Sequence, residues 1–254
     1  MKKILGFAVL SLIWLGCSSD SPKSRLEVSL TDSPGDYEEI NIDIQGVEVH
    51  RSAGNQNSGW MVLDINEGVY NILELTNGLD TLLGAIDLPS GRVSQIRLIL
   101  GSNNTIKVSG EIKPLSTPSS QQSGLKLNVQ ADLTGGITYR ITLDFDAARS
   151  IVAKGNGDYS LKPVIRALSE ATSGAIKGEI APIEASPAVF AISGVDTVAT
   201  AFPDSTGHFL LHAIPPGTYK VTFVPKTGYL PQQKADVGVT IGNVTDLGLI
   251  QILQ

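Results

Sequence analysis

The chain has 254 residues, with 19 lysines and arginines against 25 aspartates and glutamates, a formal charge of −6 and one cysteine. An acidic surface repels nucleic acid, whose binding rests on basic contacts to phosphate, and a lone cysteine leaves no intramolecular disulfide to staple the fold. The 26 glycines and 13 prolines, set among short alternating apolar runs, fit an all-β protein with many turns.

Met1-Lys2-Lys3 is a basic start, and Ile4 to Gly16 is an apolar run of 13 residues, short of the ~20 that a spanning helix needs. A basic start, a short apolar run and small residues at its end are the signature of a secretory leader. Leu15-Gly16-Cys17 resembles a bacterial lipoprotein signal. That resemblance implies removal of residues 1–16 and acylation of Cys17 with a diacylglyceryl group and an amide-linked chain, which suffices because stable anchoring takes more than one acyl chain. An uncleaved signal anchor and a plain secretory leader are the alternatives. Residues 17–24 then form a tether, and removing Lys2 and Lys3 from the 19 basic residues leaves 17 against 25 acidic ones, a charge of −8. No apolar run after Cys17 approaches spanning length.

Leu26, Val28 and Leu30 alternate with Glu27 and Ser29, predicting a half-buried strand. Thr31-Asp32-Ser33-Pro34-Gly35-Asp36 has turn composition. Ile40, Ile42 and Ile44 alternate with Asn41, Asp43 and Gln45, and Gly46 shifts the phase before Val47 and Val49, which predicts a bulge. A loop tip at Asn55–Gly59 precedes a strand from Trp60 to Ile65. Ile72, Leu75, Leu79, Leu82 and Leu83 recur at near-helical spacing across Asn77-Gly78, which predicts one helical turn after Gly78. Leu88–Gly91 is a tight turn. Strands are expected at Val93–Leu100, Thr105–Ile112, Leu125–Leu133 and Ile137–Phe145, the last two forming a hairpin about Gly135-Gly136. Pro114–Gly124 reads as a loop, and Tyr159–Leu168 closes the block.

Four separated pieces carry a family resemblance. They are Val28-Ser29-Leu30-Thr31-Asp32-Ser33-Pro34; Pro89-Ser90-Gly91 leading into Gln95-Ile96-Arg97-Leu98; Leu143-Asp144-Phe145-Asp146 with Ser150-Ile151; and Leu161-Lys162-Pro163-Val164-Ile165-Arg166. Together, and in this order, they resemble the domain-of-unknown-function family 4382 over residues 25–169. The resemblance implies a β-sandwich-like domain of envelope proteins with no established activity.

A linker is expected at 170–174 and a second domain at 175–254. Phe209 and Leu211 face one way and His208 and His212 the other. Pro216-Gly217 supplies a turn, and Tyr219, Val221 and Phe223 resume the inward face. Asp204 through Phe209, Pro215 through Tyr219 and Gly228-Tyr229 are similar to carboxypeptidase regulatory-like domains. This implies a seven-stranded sandwich of prealbumin type and an accessory role. The wider superfamily includes starch-binding-like domains, which links the chain to carbohydrate by fold-level analogy.

No catalytic motif stands out: a Gly-x-Ser-x-Gly elbow, His-Glu-x-x-His and a phosphate loop are all absent from the sequence. His208 and His212, about 13 Å apart on a strand, cannot share one ion, and these two and His50 read as surface residues. Asp32 and Asp36 flank Pro34-Gly35 and are the candidate calcium ligands, because calcium takes oxygen donors; the alternative is that Asp32 caps its own turn. Asp144 and Asp146 flank an inward Phe145 and read as a solvated face or strand-end structure rather than an acid/base pair. Trp60, just after a loop, is the candidate ligand-binding residue if its ring is exposed, and core packing is the alternative. Asp80-Thr81-Leu82, Asp196-Thr197-Val198 and Asp204-Ser205-Thr206 resemble O-glycosylation acceptors of Bacteroides-like bacteria.

The expectation is an all-β chain of two consecutive β-sandwich domains, the first with at most one short helix. It sits on a lipid tether in the cell envelope, at the outer membrane, on its periplasmic or surface face. Neither a cofactor nor an enzymatic activity is expected. The role is a binding or structural module, with the membrane as partner through the anchor, a glycan or an envelope protein as a further partner, and no nucleic acid. A carbohydrate-binding accessory lipoprotein and an enzyme with an unrecognised site are the alternatives.

Overall fold

The computed structural model describes residues 22–33, 37–52, 59–76, 78–117 and 124–254. The leader, Cys17, Asp36 and parts of three expected loops lie outside these residues.

The described residues open with two long strands, β1 (Lys23–Ser33) and β2 (Glu39–Arg51). The short β3 (Trp60–Val62), β4 (Asp64–Ile65) and β5 (Gly68–Asn71) follow. Then come β6 (Thr81–Pro89), β7 (Gly91–Leu100), β8 (Thr105–Val108), β9 (Glu111–Ser116), β10 (Leu125–Leu133) and β11 (Thr138–Asp146). A one-turn helix, α1 (Ala147–Ser150), precedes β12 (Ile151–Ala153), β13 (Tyr159–Leu161) and β14 (Ile165–Ala171). One sheet runs β14-β11-β1-β6-β4, and a larger one runs β10-β7-β2-β8-β9-β13-β12 with β3 and β5 also on β2. Leu26, Val28 and Leu30 of β1 and Ile40, Ile42 and Ile44 of β2 are fully buried in the shared core, with Phe145 and Ile96. The alternation read from the sequence is therefore the alternation of the core.

Strand β2 is paired on both edges. Asn41 and Ile44 each register with residues on two different strands, β8 and β5 for Asn41, β7 and β5 for Ile44. The register with β7 shifts between Ile44 and Gly46, so the expected bulge is present. It moves the inward set from Ile40, Ile42 and Ile44 to Val47 and Val49. A side chain at Gly46 would press on Ile99, which accounts for glycine there.

Three local expectations are corrected. The helical turn lies at Ile72–Leu75, before Gly78 rather than after it, because Leu82 and Leu83 belong to strand β6, where successive side chains alternate faces. Leu79 and Leu82 are accordingly exposed. Strands β10 and β11 do not form a hairpin: β10 pairs with β7, whereas β11 lies between β1 and β14. The Gly135-Gly136 connection instead crosses between sheets and meets the C-terminal strands, where Gly136 accepts a hydrogen bond from the Ala213 N–H at 2.9 Å. Finally, the expected Tyr159–Leu168 strand is divided into β13 and β14.

Thr172 and Ser173 join β14 to β15 (Gly174–Ala181). After it come β16 (Ala188–Ser193), β17 (Asp196–Ala201), β18 (His208–Ile214), β19 (Gly217–Val224), β20 (Gln232–Val239) and β21 (Val244–Gln251). These seven strands form a three-stranded sheet, β18-β15-β21, and a four-stranded sheet, β17-β16-β19-β20. Phe209 and Phe223 meet edge to face at 5.8 Å across a second core that also holds Leu211, Tyr219 and Val221. The described residues are thus all-β, apart from single helical turns, with two separate cores.

The turn before β18 is organised by Asp204, whose Oδ1 accepts from the Thr206 hydroxyl at 2.7 Å and from the backbone N–H groups of Thr206 and His208 at 2.8 and 3.0 Å. The Thr206 hydroxyl bond first, then these N–H groups, hold the carboxyl below its ordinary range. A depressed folded-state pKa contributes stability that is complete above the unfolded carboxyl range, about pH 4, and is lost as pH falls through the folded value. Asp204→Asn should therefore lower the melting temperature at pH 7, and the gap to the parent should narrow as pH is lowered below about 4. A gap independent of pH between 7 and 3 would contradict this role.

Candidate functional site

The outer face of the larger sheet carries two cross-strand rows. His50 registers with Trp60 on one side and Gln95 on the other, and Gln95 with Asn128. The parallel row runs Val62, Glu48, Arg97, Lys126. Residues directly opposite each other in register share a face, so β3, β2, β7 and β10 present one continuous surface, polar except for Trp60 and the exposed Val62 at its β3 edge. At about 4.8 Å between strands, it spans roughly 14 Å. Its inward counterparts, Val47, Val49, Ile96 and Leu98, are fully buried. The core thereby fixes which side chains face out.

A cavity of about 400 Å³ lies on this face, lined by His50, Trp60, Ser94, Gln95, Lys126, Asn128 and Gln130. The Gln95 side-chain amide donates to the Asn128 side-chain oxygen at 3.2 Å. The Arg97 guanidinium stacks 4.0 Å from the Trp60 ring centroid, and the Lys126 ammonium lies 5.7 Å from it. Arg97 also donates to Glu48 at 2.6 Å. The imidazole of His50 meets Trp60 edge to face at 5.1 Å, with Nδ1 3.1 Å from Ser94 Oγ. His50 is only 7% exposed. Its Nε2, like Arg97 Nε, is a buried nitrogen with no hydrogen-bond partner among the described residues.

A family profile described as a domain of unknown function, DUF4382, matches residues 23–163. The chain belongs to the DUF4382 family. No curated protein matches it. Among solved structures, the DUF4382 chain is similar to the Bacillus anthracis TIE protein, at 10% identity and a TM-score of 0.27, over 91% of this chain and 34% of that one. It is also similar to a streptococcal ancillary pilin, at 12% identity and a TM-score of 0.22, over 92% and 63% respectively. A third is GBS52, the minor pilin of Streptococcus agalactiae, at 9% identity and a TM-score of 0.23, over 89% and 94%. The chain spans about a third of the length of the first of these proteins and 63% of the second.

The other sequence candidates in this DUF4382 protein fall elsewhere. Asp32 is buried at the end of β1, and its Oδ1 accepts the Ala147 N–H at 3.0 Å, so it caps α1 from the neighbouring parallel strand. Its partner in the calcium expectation, Asp36, lies outside the described residues. Among the described residues, no group of three histidines, cysteines or acids is placed to hold a metal ion. Asp144 is buried and pairs with Arg166, while Asp146 accepts the Arg149 N–H at 3.1 Å as the cap of α1. Of the two readings of that pair, the structure supports strand-end structure rather than a solvated face. His208 and His212 are exposed, as expected, but His50 is buried, because the Gly46 bulge leaves it facing Trp60 under the backbone of Gly59.

The sequence singles out Trp60 but not its neighbours. Gln95, Asn128 and Gln130 sit at outward positions of ordinary strands, and only the register assembles them. Trp60 itself is half-buried, with the guanidinium over its ring, neither a bare platform nor core. Beyond the leader it is the sole tryptophan, so its fluorescence reports this face alone. Arg97→Leu should red-shift that emission and cost roughly 1–3 kcal/mol in urea unfolding, since it strips the ring and leaves Glu48 without its partner. Unchanged emission would contradict the stacking.

Proposed function

We propose that this protein is a non-enzymatic, lipid-anchored binding module of the bacterial cell envelope, and that its ligand is a glycan held on the β3-β2-β7-β10 face. The observation that carries the reading is the polar row Trp60–His50–Gln95–Asn128 beside a cavity of about 400 Å³. Planar amides and an indole edge suit sugars, which present paired hydroxyls and apolar ring faces together. Among the described residues the cavity lining holds no carboxylate, so these residues offer no acid/base pair of the kind that cleaves glycosidic bonds. The resemblance of the C-terminal strands to carboxypeptidase regulatory-like domains supports an accessory module rather than an enzyme core. The leader supports attachment through Cys17 and an outer-membrane location.

On a glycan array, the mature chain produced as the Cys17→Ser variant should bind a defined set of glycans. Trp60→Ala and the double variant Gln95→Ala, Asn128→Ala should each weaken that binding at least about tenfold, the equivalent of one or two lost hydrogen bonds. Retained affinity in both would contradict the site. In cells, the native protein should incorporate labelled palmitate and sediment with membranes. The Cys17→Ser variant should do neither.

A further inference from the structure

We infer that the glycan is acidic, and that Lys126 receives one of its carboxylates. This deepens the glycan reading and rests on it. The charges on the face are unevenly placed. Glu48 is held by Arg97 at 2.6 Å, which neutralises both. Lys126, next in the same row, forms no ion pair among the described residues and points its ammonium over the Trp60 edge of the cavity. Farther along β10, the nearest acid, Asp132, registers against Arg92. Segments 53–58 and 118–123, which join β2 to β3 and β9 to β10, contain no charged residue.

The result is a locally cationic groove on a molecule whose formal charge is −6. The field of such a molecule repels a polyanion at long range, so an acidic chain gains only from contacts at this spot. That contact is supplied by Lys126, whose side chain is exposed at the cavity; His50 Nε2 and Arg97 Nε, without a hydrogen-bond partner among the described residues, are buried beneath the surface and do not face a ligand directly. The contrast with the cavity of about 450 Å³ on the three-stranded sheet is direct. That cavity is lined by Glu179, Asp204 and Asp246, and its Lys177 is already paired with Asp246 at 3.3 Å. It would reject the ligand that the Trp60 groove accepts.

The test uses the mature Cys17→Ser chain with alginate, polygalacturonate and hyaluronate, each beside its carboxyl-reduced form, read by Trp60 fluorescence and calorimetry. At least one acidic polymer should bind about fivefold or more tighter than its reduced form, as a charge-assisted contact requires. Lys126→Glu should erase that preference, and 0.5 M salt should weaken it. Lys220→Glu, on the exposed face of β19, should leave it unchanged. Equal binding of acidic and reduced forms would overturn the charge inference and leave the glycan reading intact. Binding of neutral glycans with none of the acidic polymers would do the same. Absence of binding to any glycan, acidic or neutral, would overturn both.

Discussion

A one-residue shift in strand β2 decides what this face presents. Before Gly46 the inward side chains of β2 are Ile40, Ile42 and Ile44; after it they are Val47 and Val49. Strand side chains alternate with a period of two, so a shift of one residue exchanges the two faces. Without it, Glu48 and His50 would point into an apolar core, where an unpaired charge is costly. With it, they lie on the outer side of the sheet, opposite Arg97 and Gln95, where Arg97 pairs with Glu48 and Trp60 covers His50. Because β2 is hydrogen-bonded along both edges, the shift is transmitted to β3 and β7 together.

The same physics links fold and site throughout the first core. The inward positions of β2, β7 and β10 are filled by aliphatic side chains, and most of the intervening positions are polar. The site needs no dedicated loop, since it is the solvent side of an ordinary sandwich. Arg97 ties it together by pairing with Glu48 while its guanidinium covers Trp60. Away from this face, buried Asp32 links the end of β1 to α1, so an aspartate whose turn composition suggests calcium acts as a brace.

Much of this was legible from residue order. Alternation located the long strands, and the phase break at Gly46 located the bulge, because both are local consequences of backbone geometry. Pairing was not legible. Gly135-Gly136 has hairpin composition, yet it carries the chain from one sheet to another, since β11 finds its parallel partner in β1, more than a hundred residues earlier. Leu79, Leu82 and Leu83 have helical spacing by coincidence, across a strand boundary. Long-range register also explains why Trp60 stood alone in the sequence: Gln95, Lys126 and Asn128 join it only through the intervening strand pairings.

The most direct test is a heteronuclear NMR titration of the mature chain with a bound oligosaccharide, following the Trp60 indole N–H and the side-chain amides of Gln95, Asn128 and Gln130. These four groups should shift together, saturate with one dissociation constant and outstrip every amide of the β15–β21 strands. Shifts confined to the C-terminal strands, or to the apolar edge positions of either core, would contradict a ligand on the β3-β2-β7-β10 face.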